Sequence, residues 1–379
     1  MKKTTASRTP LLLFLLVSGG ILLAILLASC EPQSLIGAWN TDGADTVLLP
    51  LDTSAATAPT ATTTPVTEAL SAPPVTGTEI IPITTAPPVT APIAPPVYHP
   101  LTGHTTNSAT ALARPFAFCV KRASAATVAS ADIVIEAPTE AAFTRFSLLG
   151  CGNVPIYKEA DIASTRPYIA ALSHDFFGIS VYRGTSDNGH PATDFLYDTI
   201  DLEACGRLTD LEKLQRYAIE SGYQTSITGT LTLPFRFPDI KESVLPSQSS
   251  ASYASVAFPE GALTTFTYDA VRKSYTMRSS AALVADGDPL PTFSNILVLF
   301  HDATRRITKD GTELSLDTAL GGQGFLLSNG GVMPIFWRRD PVTSALLFTD
   351  TDGIALTVNR GKTYIGMTTY EEKDSLIMN

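Results

Sequence analysis

Four side chains between positions 136 and 166 have the charge and spacing that chemistry could use: Glu136, Glu140, Arg145 and Arg166. Two carboxylates beside a cleft act as general acid and base in glycosidic cleavage when their surroundings push their proton affinities apart. Arginine forks grip a carboxylate or phosphate through two parallel hydrogen bonds. The apolar run ending at Glu136 reads as a strand, with Glu140 just beyond its end. Three readings stay open. The four residues form an ion-pair network bracing strand ends, a ligand-binding site, or a catalytic site with Glu136 and Glu140 as acid and base.

Other reactive side chains give less. Cys119 lies in an apolar run and Cys151 follows another, so both read as small buried hydrophobes. With Cys205 they make an odd set, which allows one disulfide at most and leaves a thiol free. No His stands near enough in sequence to activate a thiol. His99, His104, His174, His190 and His301 show no ligand spacing and read as surface or core imidazoles. Neither a metal nor a cofactor is therefore expected. Gly361-Lys362-Thr363 resembles the end of a phosphate loop, but Leu356 stands where that loop needs its first Gly. Gly322-Gln323-Gly324 lacks the later Gly of a dinucleotide fingerprint, and Asp350-Thr351-Asp352-Gly353 is followed by no further calcium ligands.

The elements that must position these residues begin at Arg114. Short apolar runs at 115–120, 133–135, 143–149 and 178–182 are bounded by turn or polar residues, as buried strands are. Ser164-Thr165-Arg166-Pro167 opens a helical pattern through His174, with Pro in the first turn. A second helix starts at Thr209, whose side chain forms an expected capping box with Glu212. Leu211, Leu214, Ala218 and Ile219 share its apolar face, Glu212 and Arg216 pair one turn apart, and Gly222 stops it. Residues 114–227 thus read as a mixed α/β domain. From 253 to 370 the pattern turns to strands joined by tight turns, with hairpin signals at Asp310-Gly311, Asn329-Gly330 and Asp352-Gly353. That second domain reads as mostly antiparallel β, with 228–252 as a connector, 371–379 as a tail and α+β as the overall class.

Ahead of the body lie two segments of another kind. Lys2, Lys3 and Arg8 precede an apolar stretch at 11–27, which ends in Leu27-Ala28-Ser29-Cys30. A basic start, a short apolar core and small residues before a cut site read as a secretory signal over 1–29. Cys30 at the following position resembles the lipobox Cys of bacterial lipoproteins, whose thiol takes a diacylglycerol. The expected location is the extracytoplasmic face of the cell membrane, with the lipid on Cys30 as the membrane contact. From 30 to 113 the chain reads as a disordered tether. It carries no Lys or Arg between 31 and 113, and 12 Pro and 12 Thr between 50 and 100. Repeated Pro favours extended polyproline II and blocks helices and ladders. Fully extended, such a tether reaches roughly 250 Å.

The 379 residues carry 26 Lys and Arg against 36 Asp and Glu, a net charge of −10. An acidic chain without a basic run offers no electrostatic footprint for nucleic acid. Outside the cytoplasm the abundant polymers are peptidoglycan and other wall polymers. A wall polymer or an envelope protein is therefore the expected partner.

Several segments of the body occur in a fixed order: Arg114-Pro115-Phe116-Ala117, Ala131-Asp132-Ile133-Val134-Ile135-Glu136, Thr144-Arg145-Phe146 and Ser164-Thr165-Arg166-Pro167-Tyr168. Phe266-Thr267-Tyr268-Asp269, Gly322-Gln323-Gly324-Phe325 with Trp337, and Gly361-Lys362-Thr363-Tyr364-Ile365 follow. Together with the lipobox, they resemble the YerB-like family of bacterial lipoproteins over roughly 114–370. The resemblance implies two domains of unknown function and an envelope location, and hands over no activity. Several His and Arg positions of the family pattern are missing. Ala163 stands where an Arg is usual, and Val181-Tyr182-Arg183-Gly184 lacks the usual His. The resulting expectation is a non-catalytic binding or scaffolding lipoprotein of the envelope. The alternative is a glycan hydrolase or lyase using Glu136 or Glu140.

Overall fold

The computed structural model describes residues 96–379 apart from 141–142, 152–161, 185–197, 204, 206–209, 229–230, 247–248, 284–287 and 309–310. The expected signal segment, Cys30 and most of the expected tether lie outside the described residues, as does Thr209. Among the described residues no helix is long and apolar enough to cross a membrane.

One large sheet runs through both halves of the sequence. Its strands lie in the order Leu346–Thr349, Gly331–Arg339, Gly322–Ser328, Asn295–His301, Thr363–Thr369, Ile133–Pro138, Thr144–Gly150, Phe116–Val120, Ile179–Tyr182 and Thr199–Asp201. The join is made by Thr363–Thr369, which pairs in parallel with Asn295–His301 on one side and Ile133–Pro138 on the other. A parallel strand with neighbours on both sides is buried on both faces, and every residue of Thr363–Thr369 is buried. The molecule is mostly β-sheet with few helices, compatible with the expected α+β class.

Strand alternation sends side chains to two cores. Val134, Phe146, Leu148, Val298 and Tyr364 face one way, under the helix Leu211–Glu220 and a second, five-stranded sheet. Ile133, Ile135, Ala137, Leu297 and Ile365 face the other way, under the helix Pro167–Asp175 and the connector residue Phe235. Phe235 packs 5.7 Å from the ring of Phe176 and 6.5 Å from that of Phe348. The connector is therefore a clasp across the second core.

Local signals explain most elements. Pairing of Ser328 with Gly331 leaves Asn329 and Gly330 as a two-residue loop with φ of 49° and 80°. That sense of turn matches the twist of the flanking strands. A Cβ on Gly330 would also meet the Tyr268 ring at 2.7 Å, so the close approach requires Gly twice over. Leu211–Glu220 buries Leu214 and Ala218, and Glu212 pairs with Arg216 at 3.1 Å.

Four expectations need correction. The cap of Leu211–Glu220 is Asp210, whose Oδ1 accepts the Lys213 N–H at 2.8 Å; no Thr209–Glu212 box is needed. Ile219 is exposed rather than part of the buried face, because the helix rests on the sheet along a narrow stripe. Residues 97–113, expected to belong to the tether, are structured. Val97–Tyr98 pairs with Thr105–Thr106, and Asn107 caps a short helix, Ser108–Leu112. Leu101 in this arm is fully buried, and one such side chain contributes about 1.5–3 kcal/mol, enough to hold a short polar segment in place. The tail is likewise integral: Ile377–Met378 adds an edge strand to the five-stranded sheet by pairing with Tyr253–Ala257.

Candidate functional site

The sheet separates the four side chains singled out by charge. Glu136 lies on the same face as Val134 and is 1% exposed. Its carboxyl oxygens accept four hydroxyls: Thr144 at 2.6 Å, Tyr364 at 2.7 Å, Thr264 at 2.8 Å and Ser279 at 3.2 Å. Those donors come from the large sheet and from the five-stranded sheet above it. Burial pushes the Glu136 carboxyl above its usual range, although the four hydroxyls pull the other way. A carboxyl so enclosed has every lone pair engaged and no approach for a substrate.

Glu140, Arg145 and Arg166 meet on the opposite face. Arg166 is 2% exposed and forms a fork on Glu140, with Nε donating to Oε1 at 2.7 Å and Nη2 donating to Oε2. Its Nη1 donates to the Thr165 carbonyl at 3.0 Å. Arg145 Nη1 donates to the Ser164 carbonyl at 2.7 Å, and the Cys119 thiol reaches the same oxygen at 3.4 Å. The two guanidiniums thus pin the segment that leads into Pro167–Asp175, whose N-cap, Arg166, makes no side-chain cap bond. Burial works to raise the Glu140 carboxyl, but the hydrogen bonds and charge of Arg166 outweigh it and hold the group below its usual range. An acid–base pair of Glu136 and Glu140 is therefore corrected: the two carboxylates sit on opposite faces of one sheet. Cys119 and Cys151 are buried and Cys205 is half-buried, all three as free thiols.

Sequence reasoning missed a concave site. A cleft of about 850 Å³ opens where residues from the first half, the connector and the second half meet. Two ion pairs frame it. Arg114 Nη1 lies 2.5 Å from Asp198 Oδ2. Arg339 forks onto Asp175 with both N–O distances at 2.8 Å. Burial pushes the Asp175 carboxyl up, against the pull of Arg339, and lowers the neighbouring His174 imidazole. Between the pairs the lining is largely apolar, from Phe177, Ile227, Leu231 and Leu346.

Phe177 occupies the residue after the helix Pro167–Asp175 and its cap Phe176, with φ of 63°. Helices usually turn into this left-handed conformation on Gly, because a Cβ is strained there. Here the position carries a half-buried ring that lines the cleft, while its carbonyl accepts the Arg114 Nε–H at 2.7 Å. Strain of this kind is commonest at functional sites. The partners of these pairs lie 84 and 164 residues apart in the chain. No local spacing links them.

Behind the cleft, His301 is a core imidazole. Its Nδ1 bonds the Asp317 carbonyl at 2.8 Å, and burial pushes the ring down to about 4, which keeps it neutral. A second group of possible ligands, His99, Asp132 and Cys151, shares no residue with this cleft.

Residues 101–216 match the N-terminal domain, and residues 254–365 the C-terminal domain, of the family described as "Protein of unknown function (DUF3048)". Among curated proteins, the chain is 25% identical over 292 residues to the Bacillus subtilis protein "Putative lipoprotein YerB", covering 71% of this chain and 85% of that protein. The crystal structure of YerB protein from Bacillus subtilis superposes with a TM-score of 0.56 at 22% identity, covering 75% of this chain and 99% of that one. That likeness establishes the shared fold.

Proposed function

The chain belongs to the YerB-like family, whose N- and C-terminal domains it carries in order, and on that premise we propose that it is a lipid-anchored, non-catalytic binding protein of the cell envelope. Cys30 would carry the lipid on the extracytoplasmic face of the membrane, and the cleft between the two halves would hold a wall polymer. The observation that supports this reading is the pairing state of the charged groups. Around the cleft, Arg114 and Arg339 are neutralised by Asp198 and Asp175, and an apolar floor carries the Phe177 ring. A largely apolar cleft with a few fixed polar groups is what binding sites share. Forked ion pairs add oriented donors and acceptors without a strong field of one sign, suited to a sugar–peptide polymer with hydroxyls and amides.

The hydrolytic alternative asks for two carboxylates facing one bond, and Glu136 and Glu140 do not face each other. The experiment is co-sedimentation of the full chain with purified cell-wall sacculi, comparing wild type with Phe177→Gly. Glycine suits the backbone at 177 and removes the ring, so the fold should survive within about 1 kcal/mol. The expected outcome is pelleting of the wild type, with at least a tenfold weaker association for the variant. Equal pelleting of both would contradict the cleft as the binding surface.

A further inference from the structure

Three ligand-bearing side chains from three chain segments converge at one end of the central sheet. His99 sits in the arm turn between Val97–Tyr98 and Thr105–Thr106, fixed by backbone bonds to His104 at 2.7 Å and from Gly103 at 2.9 Å. Asp132 immediately precedes Ile133–Pro138, and Cys151 immediately follows Thr144–Gly150. Antiparallel pairing of Ile133 with Leu149 brings those two strand ends together. One ligand atom from each of the three residues lies within 4.8 Å of the other two. His99 Nε2 is 3.3 Å from Asp132 Oδ2, and that same oxygen accepts the Cys151 N–H at 3.0 Å. The aspartate is further held through its backbone, which donates to Leu149 and accepts from Thr363.

We propose that His99, Asp132 and Cys151 bind one divalent transition-metal ion of the zinc class. The donor set is one imidazole nitrogen, one carboxylate oxygen and one thiolate sulfur. Borderline and soft ions take such ligands, with a fourth position left for water. Calcium and magnesium want a shell of oxygens, and here one carboxylate is offered. On binding, the Cys151 thiol gives its proton to solvent as the metal–sulfur bond forms. The imidazole moves its proton from Nε2 to Nδ1 and gives up the 3.2 Å bond that Nδ1 accepts from the Leu101 N–H. No electrons change hands. Side-chain exposures of 11% for His99 and 17% for Asp132 leave an entry route.

The consequence is mechanical. Residues 97–106 are where the chain enters the body, and a metal at this point would staple that arm to the ends of two central strands. Ligands at 99, 132 and 151 have no motif spacing, so the site arises only from the fold.

The test is titration of the full chain with Co²⁺ under reducing conditions, followed by absorption and by the melting temperature. The expected result is one equivalent per chain, a thiolate-to-cobalt charge-transfer band, and a melting temperature that rises with added Co²⁺ or Zn²⁺. Cys151→Ser should abolish the band, and His99→Gln should weaken binding at least tenfold, since even the loss of a supporting contact costs about 10–100-fold. Cys205→Ser should behave as wild type. Absence of the band in wild type, its persistence in Cys151→Ser, or an unchanged titration in His99→Gln would each overturn the proposal. His99→Gln alters a partly exposed turn residue, so it keeps the test decisive if the cysteine variant fails to fold.

Discussion

The Tyr364 hydroxyl donates to Glu136 Oε2 at 2.7 Å, and this bond ties the first half of the chain to the second at the centre of the molecule. It is possible because Gly366 stands opposite Glu136 in the parallel pairing. A Cβ at 366 would meet the Tyr364 ring and hydroxyl at 3.2 and 3.3 Å. Thr264 and Ser279 complete the contact from the second sheet. Glu136 is thus a hub between the two sheets.

Truncating the hub should be costly. Glu136→Leu leaves three buried hydroxyls and the half-buried Ser279 to find new partners, and each buried failure costs about 1–3 kcal/mol. The expected loss is several kcal/mol by chemical denaturation, against about 1–2 kcal/mol for Tyr364→Phe, which removes one bond. Equal, small effects for both would show that the hydroxyls do not depend on Glu136.

The same group predicts a pH dependence. Its carboxyl is raised by burial in the folded state, so folding holds that proton more tightly than the unfolded chain does. The stabilisation is therefore complete below the unfolded carboxyl range and is lost as pH rises through the raised folded value. Glu136→Gln has no proton to lose. Measured against it, the wild type should lose relative stability as pH rises above the free carboxylate range. A flat or opposite trend would contradict the direction.

Glu140 and Arg166 should behave in the reverse sense. Arg166→Ala leaves a largely buried carboxylate without its fork, and breaking a buried pair costs about 3–5 kcal/mol. Arg166→Lys keeps the charge but loses the planar geometry, so its cost should fall between wild type and Ala. Because Glu140 is held below its usual range, its contribution is present above the unfolded value and is lost as pH falls through the folded one. Denaturation midpoints of the three proteins near neutral pH and in acid measure this. An Ala variant as stable as wild type would remove the bracing role.

The anchor is tested at the N-terminus. Only a thiol can form the thioether, so Cys30→Ala should abolish diacylation. Mass spectrometry of the mature wild-type terminus should find a modified Cys30. An unmodified terminus, or an intact Met1, would contradict the lipid anchor.

Much of the fold was legible because it is local. The apolar runs at 115–120, 133–135 and 143–149 became the strands Phe116–Val120, Ile133–Pro138 and Thr144–Gly150, and Asn329-Gly330 became a two-residue hairpin loop. The site was less so. Glu136 and Glu140 are four apart, a spacing that keeps one face only while a strand lasts. This strand ends at Pro138, and the turn carries Glu140 to the other side. One helix cap was misplaced by one residue, since Thr209 and Asp210 are both good caps and only the backbone path chooses. The union of the two halves in one sheet, and the Arg339–Asp175 fork, depend on contacts across more than a hundred residues. Local sequence carries no signal for those.

Binding of a wall polymer without cleavage is tested by following protein and glycan in one assay. Sacculi are incubated with the full chain, and pelleted protein and soluble glycan fragments are quantified together. The expected result is that protein pellets with the wall, that fragments stay at the level of the protein-free control, and that Phe177→Gly pellets at least tenfold less. Soluble fragments that disappear with Glu140→Gln would contradict it.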